Sequence, residues 1–172
     1  MILIPHTPGG LRDETLAAVE RAGLPFRAVE LAPDDEAYWR FWRSLWDAAE
    51  DVTVVEQDIV PHDRVFDEFA ACPEPWCAHA YEYSIVGLYA GTGCVRFRHE
   101  LLAATPGLMD RVALMSDHLH PPKHWCRLDA WMQHQLFLAG YQQHRHEPPV
   151  GHLNPDVSHG CAPSHAPSLV RT

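Results

Sequence analysis

Val52-Thr53-Val54-Val55-Glu56-Gln57-Asp58-Ile59-Val60-Pro61 is an apolar, β-branched run that delivers two carboxylates and then stops at a proline. β-Branched side chains pack well on a pleated sheet, and an apolar run without polar alternation reads as a central strand buried on both faces. In a parallel α/β sheet, ligands bind beyond the carboxyl ends of the strands. Strand residues two apart share a side, so Glu56 and Asp58 can face one site together. Carboxylate oxygens are hard ligands that suit Mg2+ or Mn2+ bridging phosphate oxygens. Acidic residues that merely end a strand and cap the helix behind it give the same pattern.

The flanking sequence alternates strands with helices. Ile2-Leu3-Ile4 reads as a buried strand closed by Pro5 and a Pro8-Gly9-Gly10 turn, and residues 12–22 carry apolar positions at helical spacing up to Gly23. Residues 26–31 read as a second strand. Residues 36–49 read as a helix whose Trp39, Trp42, Leu45 and Trp46 form one stripe, best explained as core packing. Beyond Pro61 the pattern predicts a helix over 62–71, a strand over 76–83, a strand or loop over 85–89 and a strand over 94–97. A helix over 98–104, a polar loop over 116–124 and a helix over 129–140 follow. This order implies one α/β domain over residues 1–160, a mostly parallel, Rossmann-like sheet flanked by helices, with a loose tail over 161–172.

Composition sets limits on partners. The 172 residues fit one domain, and 47% hydrophobic with 21% charged residues is enough for a packed core. No apolar run approaches the roughly 20 residues of a membrane span. The N-terminus lacks the basic segment of a signal peptide, so a cytoplasmic location is expected. Thirteen Lys+Arg stand against 23 Asp+Glu, Lys123 is the only lysine, and no basic stripe is visible. That argues against a nucleic-acid partner but leaves room for an acceptor presenting a single exposed group. The odd number of cysteines, five, reads as reduced thiols.

The strand–Glu56-x-Asp58 segment behind a Trp-rich helix resembles the metal-binding Asp-x-Asp segment of glycosyltransferases with the GT-A fold. The run VVEQDIVPHDRVFDEFAACPEPWCAHAYEY (54–83), followed by GTGCVRFRHELL (91–102), is similar to short glycosyltransferase-like proteins of actinobacterial and phage type. The resemblance spans roughly residues 1–155. It departs from the family at Glu56, where an Asp usually stands, and in its short length.

What the resemblance implies is a GT-A-like domain that moves a sugar from a nucleotide-sugar donor to a hydroxyl acceptor with Mn2+ or Mg2+. Pro5, His6 and Thr7 would line the nucleotide, and Glu30 would approach the base. Asp58 would coordinate the metal, and Glu56 would reach the ribose or a metal-bound water. Asp129 would be the base that takes the acceptor's proton; an acid at a helix N-terminus is the alternative for it. A late histidine would complete the metal set, His152 first and His159 second. The acceptor stays open among protein, DNA, lipid and small molecule.

Two other roles fit the chain. One is a non-catalytic binding protein on the same scaffold. The other is a small zinc protein using Cys72 and Cys77 of CPEPWC with His159, Cys161 and His165 of HGCAPSH, although the matching second pair of ligands is missing.

Overall fold

The computed structural model describes residues 1–83 and 87–153. The chain runs β1 (Ile2–His6), α1 (Asp13–Arg21), β2 (Phe26–Glu30), α2 (Ala37–Ala48), β3 (Val52–Val55), β4 (Ile59–Val60) and α3 (Val65–Ala71). It continues through β5 (Trp76–Tyr83), β6 (Gly87–Tyr89), β7 (Cys94–Phe97), α4 (His99–Ala104), α5 (Leu108–Val112), α6 (Trp125–Leu138) and β8 (His144–His152). His159, Cys161 and His165, with the expected tail over 161–172, lie outside the described residues.

The sheet order is β2-β1-β3-β7-β5-β8-β4, with β6 on β5. β1 pairs in parallel with β2 and β3, and β5 with β8; β7 is antiparallel to both β3 and β5. β1, β2, β3, β5 and β8 therefore run in one sense, and β4, β6 and β7 run against it. The expected single α/β domain is observed, with β7 inserted antiparallel between two parallel groups. No helix among the described residues is long and apolar enough to cross a membrane.

Strand alternation divides the core into two layers. Leu3, Val52, Val54, Trp76, Val95 and Phe97 meet α2, α4, α5 and α6; Ile2, Ile4, Val55, Cys77 and Cys94 meet α1 and α3. The tryptophan stripe is core, as its spacing implies. Trp42 and Trp46 place their rings edge-on to Phe97 at centroid distances of 5.6 and 5.2 Å, and Trp76 stacks on Phe97 at 5.6 Å. Two indole N–H groups tie down the helices that follow. Trp46 Nε1 donates to Thr105 Oγ1 at 3.1 Å, and Trp39 Nε1 to the Met109 carbonyl at 3.0 Å.

Val54 is fully buried at the centre of β3. Val54→Ala removes two methyl groups at about 0.8 kcal/mol each and leaves a small cavity, so a loss of about 2 kcal/mol is expected. A lower urea midpoint at unchanged slope would register it.

The structure departs from the expectation in several places. α6 begins at Trp125 and not at Asp129, because the His124 ring accepts the Cys126 N–H and caps the helix four residues earlier. At its other end, Gly140 adopts φ 88°; its N–H reaches the Phe137 carbonyl, and that of Tyr141 reaches the Leu136 carbonyl. This is a glycine-terminated Schellman stop. α5, β8 and the two-residue β4 were not expected. β8 carries Pro148 and Pro149, which donate no N–H, and they occupy the register slip between His79↔His146 and Tyr81↔Val150. Cys72, Cys77 and Cys94 are free and buried, whereas Cys126 is disulfide-bonded, contrary to reduced thiols throughout.

Candidate functional site

Because β1, β2, β3, β5 and β8 share one sense, their carboxyl ends meet at a single edge of the sheet. His6, Glu30, Val55 and His152 stand at that edge, and the loop after β3 carries Glu56, Gln57 and Asp58 across it.

The register of β4 on β8 pairs Ile59 with His152, and Leu153 N–H donates to the Asp58 carbonyl at 2.9 Å. These main-chain bonds bring Asp58 Oδ2 to 3.6 Å from His152 Nε2, both side chains being nearly buried. His152 Nδ1 lies 2.7 Å from the Glu82 carbonyl oxygen. A carbonyl only accepts, so Nδ1 carries the proton and Nε2 is the atom turned to Asp58. Burial works to lower the His152 pKa, but the bonds to Asp58 and to the Glu82 carbonyl outweigh it and the net shift is upward. The carboxylate is a donor that suits Mn2+ or Mg2+, and the imidazole beside it is oriented by a backbone carbonyl as metal-bound imidazoles are.

Glu56 turns toward α2 and β7. Its Oε1 accepts from the Tyr38 hydroxyl and, at 2.9 Å, from Thr92 Oγ1. Burial pushes its pKa up to about 7; the charges of Asp58 and Asp129 add to the rise, and the Tyr38 and Thr92 hydrogen bonds oppose it. Asp129 lies in the second turn of α6, so the reading of it as an acid at a helix start no longer applies. Its Oδ1 accepts the Ala130 N–H at 2.6 Å, and Tyr89 also bonds to it. Burial raises its pKa despite these bonds. A Cβ placed on Gly91 would stand 2.8 Å from Asp129 Oδ2 and 2.6 Å from the Tyr81 hydroxyl, so the absent side chain is what lets the β6–β7 turn close on the carboxylate.

Beside these acids lies a cleft of about 350 Å3. Pro5, His6 and Thr7 line one wall, residues 31–35 with Tyr38 another, and Glu56, Gln57, Asp58 and Trp125 the rest. Glu30 pairs with His6 on the adjacent strand but is exposed and does not line the cleft; Leu31 to Asp35 occupy that wall. The structure thus gathers Pro5, His6, Thr7, Glu56, Asp58 and His152 at one edge, with Asp129 close enough to act on Glu56 electrostatically.

No family model matches the chain, and no curated protein matches it either. Solved structures do. A197 from STIV superposes with a TM-score of 0.55 at 9% identity, over 85% of this chain and 81% of that one. This likeness shows a common fold. A glycosyltransferase involved in glycosylation of the major capsid of PBCV-1 gives 0.49 at 15% identity, over 86% and 82%. A putative glucose-1-phosphate thymidylyltransferase from Bacillus anthracis gives 0.46 at 9% identity, over 87% of each chain.

Several residues of the cleft carried no signal in the sequence. Tyr38 sits on the helix whose stripe reads as core, yet it holds Glu56. Gln57 stands between the two acids; its Oε1 accepts both the Thr7 N–H at 2.8 Å and the Thr7 hydroxyl at 3.1 Å, fixing the loop after β1. Trp125, which lines the cleft, and Thr92, which bonds Glu56 from behind it, are further examples.

The raised pKa of Glu56 has a consequence for stability. Between pH 4.5 and about 7 the folded protein holds a proton that the unfolded chain has lost. Folding is therefore favoured by this group below that window, and the stabilisation disappears as pH rises through 7, by on the order of 3 kcal/mol in all. In chelator, the difference in unfolding free energy between wild type and Glu56→Gln, from urea titrations, should change by that amount across the window. A constant difference would mean that Glu56 titrates normally.

Proposed function

We propose that the protein is a divalent-metal-dependent glycosyltransferase that moves a sugar from a nucleotide-sugar donor to a hydroxyl acceptor. The observation that carries this reading is the meeting of Asp58 and His152 at the carboxyl edge of the sheet, beside a cleft lined by the loop after β1. Ligand sites in open α/β sheets fall at this edge. The cleft has the size of a small-molecule pocket. The nucleotide lies along Pro5, His6 and Thr7 and under residues 31–35, with Leu31 to Asp35 in place of Glu30 at the base end.

Asp58 and His152 are the residues that would hold Mn2+ or Mg2+, with His159 as a further candidate. When bound, the cation neutralises charge on the departing nucleoside diphosphate. Glu56, kept beside Asp58 by Tyr38 and Thr92, reaches the ribose. Asp129 takes the proton of the acceptor hydroxyl as its oxygen bonds to the anomeric carbon and the bond from that carbon to the diphosphate breaks. The raised pKa of a buried carboxylate suits it to this task.

The test is release of nucleoside diphosphate from a panel of nucleotide-sugars, with Mn2+ and in chelator. Metal-dependent release from one donor is expected, with water taking the place of the acceptor hydroxyl. Metal-dependent binding without release on long incubation, with candidate acceptors supplied, would replace the enzyme by a binding protein on this scaffold.

A further inference from the structure

On the face of the sheet covered by α1 and α3, away from the cleft, lies a second group of ligand atoms. β5 and β8 pair Cys77 with His144 and His79 with His146, and alternation sends His79, His144 and His146 to that same face. His62 follows the Asp58 loop, and Glu68 comes from the first turns of α3. His62, Glu68 and His79 each offer one ligand atom, and these atoms all lie within 4.8 Å of one another. None of the residues lining the cleft belongs to this group.

The chemistry of these atoms is unusual for a metal-free interior. His79 is fully buried, and its Nδ1 lies 3.1 Å from the Pro148 carbonyl oxygen. That carbonyl only accepts, so in the neutral ring Nδ1 holds the proton and Nε2 presents a lone pair. His79 Nε2 faces Glu68 Oε2 at 3.2 Å, a lone pair set against an anionic oxygen. His62 Nε2 stands 3.8 Å from the same oxygen. All three atoms are buried, and none has a hydrogen-bond partner among the described residues. Buried polar groups are normally paired; His79 Nε2 and Glu68 Oε2 are two acceptors set face to face, which calls for an electrophile between them, and the His62 ring stands where its Nε2 can join them. Glu68 Oε1 is meanwhile held by Arg64 at 3.2 Å, which leaves Oε2 as the inward atom.

The geometry points to a zinc site formed by His62 Nε2, Glu68 Oε2 and His79 Nε2. Two imidazoles and a carboxylate are a recurrent zinc donor set, with a fourth tetrahedral position left for water. The His79-to-carbonyl bond is the outer contact that orients a metal-bound imidazole. His62 Nδ1 accepts the Arg64 N–H at 3.3 Å, so its ring proton sits on Nε2 before metal binds. On binding, that proton moves to Nδ1 and the long bond from Arg64 is given up. The neighbouring Cys72, His144 and His146 also approach one another, but the buried Arg96 guanidinium places positive charge against His146 and opposes a second cation there. The zinc would pin the segment after Asp58 to α3 and β5, and so buttress the cleft from behind.

Metal analysis of the full chain, followed by chelator stripping and titration with Zn2+ and with Co2+, tests the site. One zinc per chain is expected, and one Co2+ with the visible absorption of a four-coordinate nitrogen–oxygen site. Glu68→Gln and His62→Gln should each lose binding by more than the 10–100-fold typical of removing an outer contact. Asp58→Asn should keep the zinc, which separates this site from the cleft. Wild-type protein that binds no Zn2+, or a Glu68→Gln that is folded by circular dichroism and retains full zinc, would overturn the assignment. So would zinc that disappears with Asp58 alone.

Discussion

Asp129→Asn is expected to lower sugar transfer by about 10^2- to 10^4-fold while leaving metal-dependent donor binding intact. The amide keeps the shape of the carboxyl and can still accept the Ala130 N–H, so α6 is undisturbed. What is lost is the ability to take a proton. The expected loss corresponds to about 2.7–5.5 kcal/mol of transition-state stabilisation. Initial rates at saturating donor, together with a donor titration, distinguish the outcomes. Equal losses in binding and rate would make Asp129 a packing residue beneath Tyr89, and not the base.

Asp58→Asn is expected to remove metal-dependent donor binding and to reduce turnover about a hundredfold or more. The substitution spares the main-chain bond from Leu153 N–H to the Asp58 carbonyl and the pairing of β4 with β8, so the fold should persist. It removes the anionic oxygen facing His152 Nε2. A variant that binds donor with the same dependence on Mn2+ would move the metal site elsewhere. His152→Gln should reproduce the loss more weakly, because the carboxylate carries the charge and the imidazole supplies only a neutral donor.

The site was legible where its chemistry coincided with the period of a strand. The apolar run of β3 announced a central strand, and the two acids at its end announced the edge where Glu56 and Asp58 now stand. His152 could be nominated but not placed, because β8 is polar, contains two prolines and pairs with β5 through a register slip. Nothing in its pattern resembles a strand; long-range pairing made it one. The helix that carries Asp129 reads four residues short at its start, since the His124 cap uses a ring nitrogen and not the usual Ser, Thr or Asp. Tyr38 was hidden for a different reason. On an aromatic-rich helix its hydroxyl is indistinguishable from core packing until the partner, Glu56, arrives from the loop after β3, 18 residues later. His62, Glu68 and His79 come from a loop, a helix and a strand with no ligand spacing between them, so only the packing of α3 on β5 brings their ligand atoms together.

The central claim is that Asp58 and His152 hold a cation that binds a nucleotide-sugar in the cleft beside Pro5, His6 and Thr7. Calorimetric titration with a panel of nucleoside diphosphates and their sugars, with Mn2+ and in chelator, tests it most directly. Binding of one nucleotide that requires the metal is predicted, with stabilisation of about 2.7 kcal/mol at a hundredfold excess over the dissociation constant. Absence of binding across the panel, or binding of equal strength in chelator, would contradict it.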